Sequence, residues 1–257
     1  MLKKLIIPGL LLTLSLTPAA VAQEKTADIL TDTQLDAYRE DGRWLGPGWW
    51  GNRLHDWSIS EKKIVCAPNR PFLAWRVAHD TTRNLDISQG NLNLSVEVKM
   101  NATGGDKNKL ADDALSGVLL GAGHSIDDPM SRLLMFDYGV RKNSKIPAVP
   151  GSGYAIGFNG NGDLKIIDLD QGKVLAQASA SGFTRNALLS VTAEKSGDQV
   201  KLTAKSGGKN VSASIPAARY RGGLGLVSHS GTRSKGFFSL STSFSNYNVK
   251  GGCQRAP

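Results

Sequence analysis

The strongest constraint on this chain is a side-chain period of two. Leu92, Leu94, Val96, Val98 and Met100 alternate with Asn93, Ser95, Glu97 and Lys99, as in a strand with one face in a core and the other in water. The period returns at Leu189/Val191/Ala193, Val200/Leu202/Ala204, Val211/Ala213/Ile215, Leu224/Leu226 and Phe238/Leu240/Thr242/Phe244. Asn161-Gly162, Ser196-Gly197-Asp198, Ser206-Gly207-Gly208 and Arg221-Gly222-Gly223 stand between or beside these runs. Such residues reverse a chain because they tolerate positive φ or bond their own backbone. No long amphipathic helix interrupts the series. The pattern predicts an all-β protein, an antiparallel jelly roll or β-sandwich.

The first residues read as an address. Lys3 and Lys4 precede an apolar stretch from Leu5 to Leu16, Pro18 breaks it, and Ala20-Val21-Ala22 offers a small-x-small cleavage site. The stretch is well short of the ~20 apolar residues a membrane-spanning helix needs. Residues 1–22 are therefore expected to be a signal peptide and the protein to be secreted or periplasmic. Residues 23–43 form a short helical or irregular lead-in, and 44–257 the sandwich. Losing Lys3 and Lys4 lowers the formal charge from +9 to +7. The remaining basic residues are spread along the chain, which argues against a nucleic-acid surface. Export also gives the two cysteines, Cys66 and Cys253, a meaning: an even count in an oxidising compartment favours a disulfide. Ile64-Val65-Cys66 looks like a first strand and Phe244–Val249 leads into Cys253 as a last, so neighbouring terminal strands would let the pair meet.

A resemblance rests on Trp50-Gly51-Asn52-Arg53-Leu54-His55-Asp56-Trp57-Ser58-Ile59, Lys63-Ile64-Val65-Cys66 and Asn69-Arg70-Pro71. It continues through Trp75-Arg76-Val77-Ala78-His79, Gly117–Gly123, Phe136-Asp137-Tyr138-Gly139, Gly153–Phe158 and Asn161–Leu164. Over residues 44–250 the chain resembles a concanavalin A-like (laminin-G-like) jelly-roll domain. More narrowly it is similar to the N-terminal sandwich of alkaline phosphatase D-like proteins. In those proteins a metallophosphatase domain follows, and its clustered metal ligands have no counterpart here. His55, His79, His124 and His229 form no HxH or DxH pair. Phosphatase chemistry is therefore not carried over, and a separate catalytic protein becomes an expected partner.

Other chemistry is sparse. Glu61, Glu97 and Glu194 stand isolated, without the closely spaced carboxylates of a glycosidase strand motif. His124, Arg132, Tyr138 and Arg141 are the right types for a lyase, but read more simply as solvent-facing loop and strand residues. Asn159-x-Asn161-x-Asp163 begins like a calcium loop, but Leu164 stands where glycine is needed, and Asn161-Gly162 reads better as a hairpin turn. Structural calcium elsewhere stays open, and no other cofactor is expected. Trp44, Trp49, Trp50, Trp57 and Trp75 all fall in one N-terminal stretch. Trp57 and Trp75 suit a core, whereas Trp49 and Trp50 follow Pro47-Gly48 and could face a sugar ring.

The sequence thus leads to an exported, non-catalytic module for a carbohydrate, in one version an acidic or phosphorylated glycan. Trp49, Trp50, Asp137, Tyr138 and Arg141 are its expected ligand contacts, with no catalytic and no metal-binding residue. Two alternatives stay open. One is a polysaccharide-degrading lyase or hydrolase, or an accessory remnant of a phosphatase D-like system. The other is a structural envelope domain.

Overall fold

The computed structural model describes residues 45, 48–52, 54–68, 75–103, 110–124, 153–179, 185–231 and 239–255. The expected leader at 1–22 and lead-in at 23–43 lie outside these residues. In chain order the strands begin with β1 (Trp49–Gly51), β2 (Trp57–Ser60), β3 (Lys63–Cys66), β4 (Arg76–Asp86), β5 (Leu92–Thr103), β6 (Leu115–Ala122) and β7 (Tyr154–Asn159). They continue with β8 (Leu164–Asp168), β9 (Lys173–Ala178), β10 (Asn186–Ser196), β11 (Gln199–Ser206) and β12 (Lys209–Pro216). The last are β13 (Arg221–His229), β14 (Ser239–Lys250) and β15 (Cys253–Arg255). Two sheets result, an eight-stranded one in the order β1-β4-β13-β6-β7-β8-β9 with β15 also on β4, and a seven-stranded one in the order β12-β11-β10-β5-β14-β3-β2. The pairings are antiparallel, as the alternation predicts. Among the described residues no helix is long and apolar enough to cross a membrane.

The core lies between the sheets. From the smaller sheet Leu94, Val96, Val98, Leu189, Val191 and Leu202 point inward, and Val118, Leu120, Ile156, Phe158, Leu164 and Leu226 meet them from the larger. The outer faces differ. β10, β11 and β12 alternate between buried and accessible residues, whereas all of β6 and β7 is buried. A second apolar cluster (Val77, Leu115, Leu119, Ala155 and Val227) covers the outside of the larger sheet. The central strands of that sheet are therefore closed on both faces, and the outward face of the smaller sheet meets solvent.

Two expectations need correction. Arg221-Gly222-Gly223 is not a turn but the start of β13, a central strand. Its glycines admit close neighbours instead: a Cβ on Gly225 would lie 2.3 Å from the Ala78 carbonyl oxygen, and one on Gly222 2.5 Å from that of Ala122. The cysteines do not pair. Both thiols are free. β3 does lie beside β14, but Cys66 sits opposite Thr242. β14 then runs from Thr242 to Lys250, about 26 Å at the rise of a strand, before Cys253 pairs with Leu85 on the other sheet. A disulfide needs Cα atoms within about 7 Å. Burial pushes each thiol up to about 12, so both stay protonated and inert. Unfolding without reductant and alkylating should add two labels per chain by mass spectrometry; none would restore the disulfide.

His79, on the outward side of β4, is 3% exposed, and burial lowers its pKa from 6.5 to about 3. The unfolded chain takes up a proton near 6.5 that the folded chain refuses until about 3. The stabilisation is therefore full above the unfolded value and declines as pH falls toward the folded one. Stability should drop by up to about 1.4 kcal/mol per pH unit below about 6. His79→Asn should flatten that slope in urea titrations repeated from pH 7 to 4.5.

Candidate functional site

The open face of the seven-stranded sheet carries a cleft of about 550 Å³. Asn93 and Ser95 line it from β5, and Ser190 and Thr192 from β10. Asn246, Asn248 and Lys250 close it on the β14 side. These are the polar members of the alternation whose apolar members, Leu94 and Val191, fill the core beneath. β14 carries an irregularity between Ser245 and Asn248, with Asn246 at φ 53°, and this brings its amide to the cleft. Among the described residues none of these seven side chains bonds to another protein group. Their neighbours differ: Ser245 donates to Glu97 at 3.1 Å, and Thr203 and Ser212 bond each other at 2.9 Å.

Strand register extends the cleft into two ladders. One crosses the sheet as Ser212, Thr203, Thr192, Asn93 and Lys250. The other runs beside it as Asn210, Lys205, Ser190, Ser95 and Asn248. Hydroxyls and amides supply both donors and acceptors, Lys205 and Lys250 supply positive charge, and neither ladder contains an acid. The carboxylates on this face lie to either side. Glu97 stands opposite Leu188, and Glu194 is six residues farther along β10, about 20 Å away. Paired glycosidase carboxylates stand about 5–9.5 Å apart. At that separation these two glutamates cannot act jointly on a glycosidic bond.

Of the expected contacts, the two described tryptophans fall elsewhere. Trp49 is 7% exposed and meets the Tyr247 ring edge-on at 5.1 Å, so it is a core residue and not a ligand platform. Trp50 is half-buried on the larger sheet, its ring 5.9 Å from that of His79. Asp137, Tyr138 and Arg141 lie outside the described residues. Trp57 is in the core as expected, donating its indole N–H to the Asn52 carbonyl at 3.0 Å, whereas Trp75 is partly buried and stacks on His229 at 4.5 Å. The cleft residues themselves carry a sequence signal that went unused: the polar half of the alternation is rich in Asn, Ser and Thr rather than in longer charged side chains.

A second polar cluster sits where β6, β7, β8 and the 217–219 turn meet. Arg219 grips Asp168 through both terminal nitrogens, at 2.7 and 3.1 Å, and also donates to Asp170. Asp170 lies 2.9 Å from Nε2 of His124. The guanidinium carbon stands 4.8 Å over the Tyr154 ring. Burial pushes the Tyr154 hydroxyl up to about 12, and the hydrogen bonds that Arg219 donates to Asp168 raise the Arg219 pKa. With its charge committed to two carboxylates, Arg219 has none to spare for a substrate anion. A hydroxyl held that firmly is a poor acid for elimination. The cluster is a brace tying the β12–β13 crossover to the larger sheet.

The hairpin at 159–163 gives no better cation site. Asn159 Oδ1 accepts the backbone N–H groups of Asn161 and Asp163 at 3.1 and 2.7 Å. Asp163 Oδ2 accepts from Asn159 and Gln177, each at 3.0 Å. These oxygens are occupied in holding the turn, and no group of three or more metal-ligating side chains occurs among the described residues. If the Arg219 cluster is a brace, Arg219→Met should leave Asp168 buried without its partner and cost about 3 kcal/mol. Urea unfolding of the variant beside the parent measures that cost, and an unchanged midpoint would remove the brace.

No protein-family model and no curated protein matches the sequence. Solved structures do. Lectin II from Ulex europaeus superposes with a TM-score of 0.50 at 13% identity, over 80% of this chain and 94% of the lectin. Basic winged bean lectin with Tn-antigen gives 0.50 at 10% identity, over 82% and 94%. At such identities the likeness is one of fold alone: the chain has the concanavalin A-like β-sandwich of these lectins.

Proposed function

We propose that this protein is an exported, non-catalytic carbohydrate-binding module, that its ligand is an acidic glycan, and that the ligand lies in the cleft of the seven-stranded sheet. The observation that carries the reading is the solvent-facing cleft itself: among the described residues, its seven hydroxyl, amide and ammonium side chains have no protein partner, and no carboxylate stands among them. A sugar ring offers hydroxyls that donate and accept, and each good pair replaces water at a small net gain. Lys205 and Lys250 favour a ligand bearing carboxylate or phosphate. The lectin fold is consistent with this, as is the Tn-antigen bound by basic winged bean lectin. Export rests on the leader pattern in residues 1–22. The resemblance to a sandwich that precedes a phosphatase domain fits a module that brings a separate catalytic protein to a glycan. The reading needs no cofactor.

A glycan array with neutral and acidic members, followed by reducing-sugar and unsaturated-product assays on its hits, tests the proposal. Binding without product is expected. Ser190→Trp fills the cleft from an outward position and should weaken binding about tenfold or more while leaving the melting temperature nearly unchanged. A variant that binds like the parent would move the site elsewhere, and product formation would replace the module by an enzyme.

A further inference from the structure

We infer that the cleft takes an internal stretch of a linear polyuronate, a carboxylate-bearing polysaccharide, laid across the strands rather than along them. This rests on the carbohydrate reading and adds the ligand's axis, its polymeric nature and its charge. The shape of the polar strip sets the axis. The two ladders cross five strands, β12-β11-β10-β5-β14, about 19 Å at the spacing of neighbouring strands. Along a strand, same-face side chains recur every two residues, so the ladders lie only about 7 Å apart. The strip is thus long across the sheet and narrow along it.

Its banks keep a ligand on that line. On one side stand the exposed Leu188 and the partly buried Glu97, on the other the Glu194 carboxylate opposite Lys201. An anionic chain turned along the strands would run into Glu97 or Glu194. Laid across them, it passes Lys205 in one ladder and Lys250 in the other, three strand spacings apart. Charges set at an interval read a repeating anion better than a single one. The strip is also open at both ends among the described residues. β12 is the edge of the sheet, and β3 pairs only with Thr242–Phe244, leaving Asn248–Lys250 with no strand on that side. A site for a chain end would need a wall, whereas an internal segment needs both exits.

Size-fractionated oligogalacturonides, from disaccharide to octasaccharide, titrated into the whole protein by calorimetry, test the inference. Affinity should climb at least about thirtyfold with length and then level off, as added rings pass beyond the strip. An octasaccharide blocked at both ends should bind as well as the free one. Lys205→Gln and Lys250→Gln should each weaken octasaccharide binding about fivefold and flatten its salt dependence. Lys173→Gln, on β9 of the other sheet, should do neither. Equal affinity for disaccharide and octasaccharide, or loss of binding on blocking the ends, would overturn the internal-segment inference. If no oligogalacturonide binds while neutral array glycans are captured and lost with Ser190→Trp, the polyuronate inference falls together with the acidic character of the ligand, and the carbohydrate site stands. If no glycan binds at all, both fall.

Discussion

The rest of the structure depends on the unequal burial of its two sheets. Val118, Ile156 and Leu226 face the inner core, Leu119, Ala155 and Val227 face outward, and all six are 0% exposed. With both sides of its centre removed from water, the larger sheet can offer little surface, and its outward residues are chosen for packing. The smaller sheet buries one face only, which frees every second residue from packing. The inner residues still govern the outer ones. A slip of one residue would turn Leu94 and Val191 outward, and burial of such side chains is worth about 1.5–3 kcal/mol each. The register that satisfies the core also sets Ser95 beside Ser190 and Asn93 beside Thr192. The ladders are held in place by the hydrophobic effect acting on their neighbours.

Polar groups inside the sandwich align the sheets with each other. Arg76, on the larger sheet, donates from Nε to Asp56 at 2.9 Å, with both side chains nearly inaccessible. Asp56 ends the 54–56 turn that carries the chain from β1 in one sheet to β2 in the other. Across the interior, Thr242 on β14 bonds Ser116 on β6 at 2.6 Å and Ser228 on β13 at 3.2 Å. Apolar layers can slide, but a buried donor displaced from its acceptor loses its desolvation compensation. These contacts add little net stability over well-packed apolar residues. What they supply is alignment: sheet offset is penalised wherever it breaks one of them. Cys66 sits in the same region, which is why burial leaves its thiol inert.

How much could be read from sequence follows the same asymmetry. β5, β10, β11 and β12 were legible because a strand with one wet face must alternate. β6 and β7 show no alternation, since both faces are dry, and they entered only through the resemblance to a concanavalin A-like domain. Gly222-Gly223 misled because glycine serves two needs, reversal of a chain and close approach of strands, and a local window cannot separate them. The cysteine pairing failed on sheet membership: β3 does lie beside β14, but the chain beyond β14 crosses to the other sheet before it reaches Cys253. The cleft was missed for a related reason. Asn93 and Thr192 are 99 positions apart in the chain, and only pairing of β5 with β10 makes them one surface. Trp49 was conspicuous by type, yet its neighbour Tyr247 comes from the far end of the sequence.

The character of the cleft side chains argues for binding spread over many weak contacts. Ser, Thr and Asn on a strand have few rotamers to lose, and Thr is stiff at χ1, so little ordering is required when a ligand arrives. Each contact replaces a bond to water and contributes about 1 kcal/mol or less. A single sugar ring can engage only a few of them and must still meet the cost of association. A polymer meets that cost once and then collects contacts along the whole strip. In the proposed binding mode the two lysines would add selectivity in the same distributed way, through charge that is screened by salt. The overall excess of basic residues says little about the ligand, whereas the placement of two of them in a strip with no acid says a good deal. A sheet face of short polar residues is thus poorly suited to grasping one sugar tightly and well suited to retaining a chain.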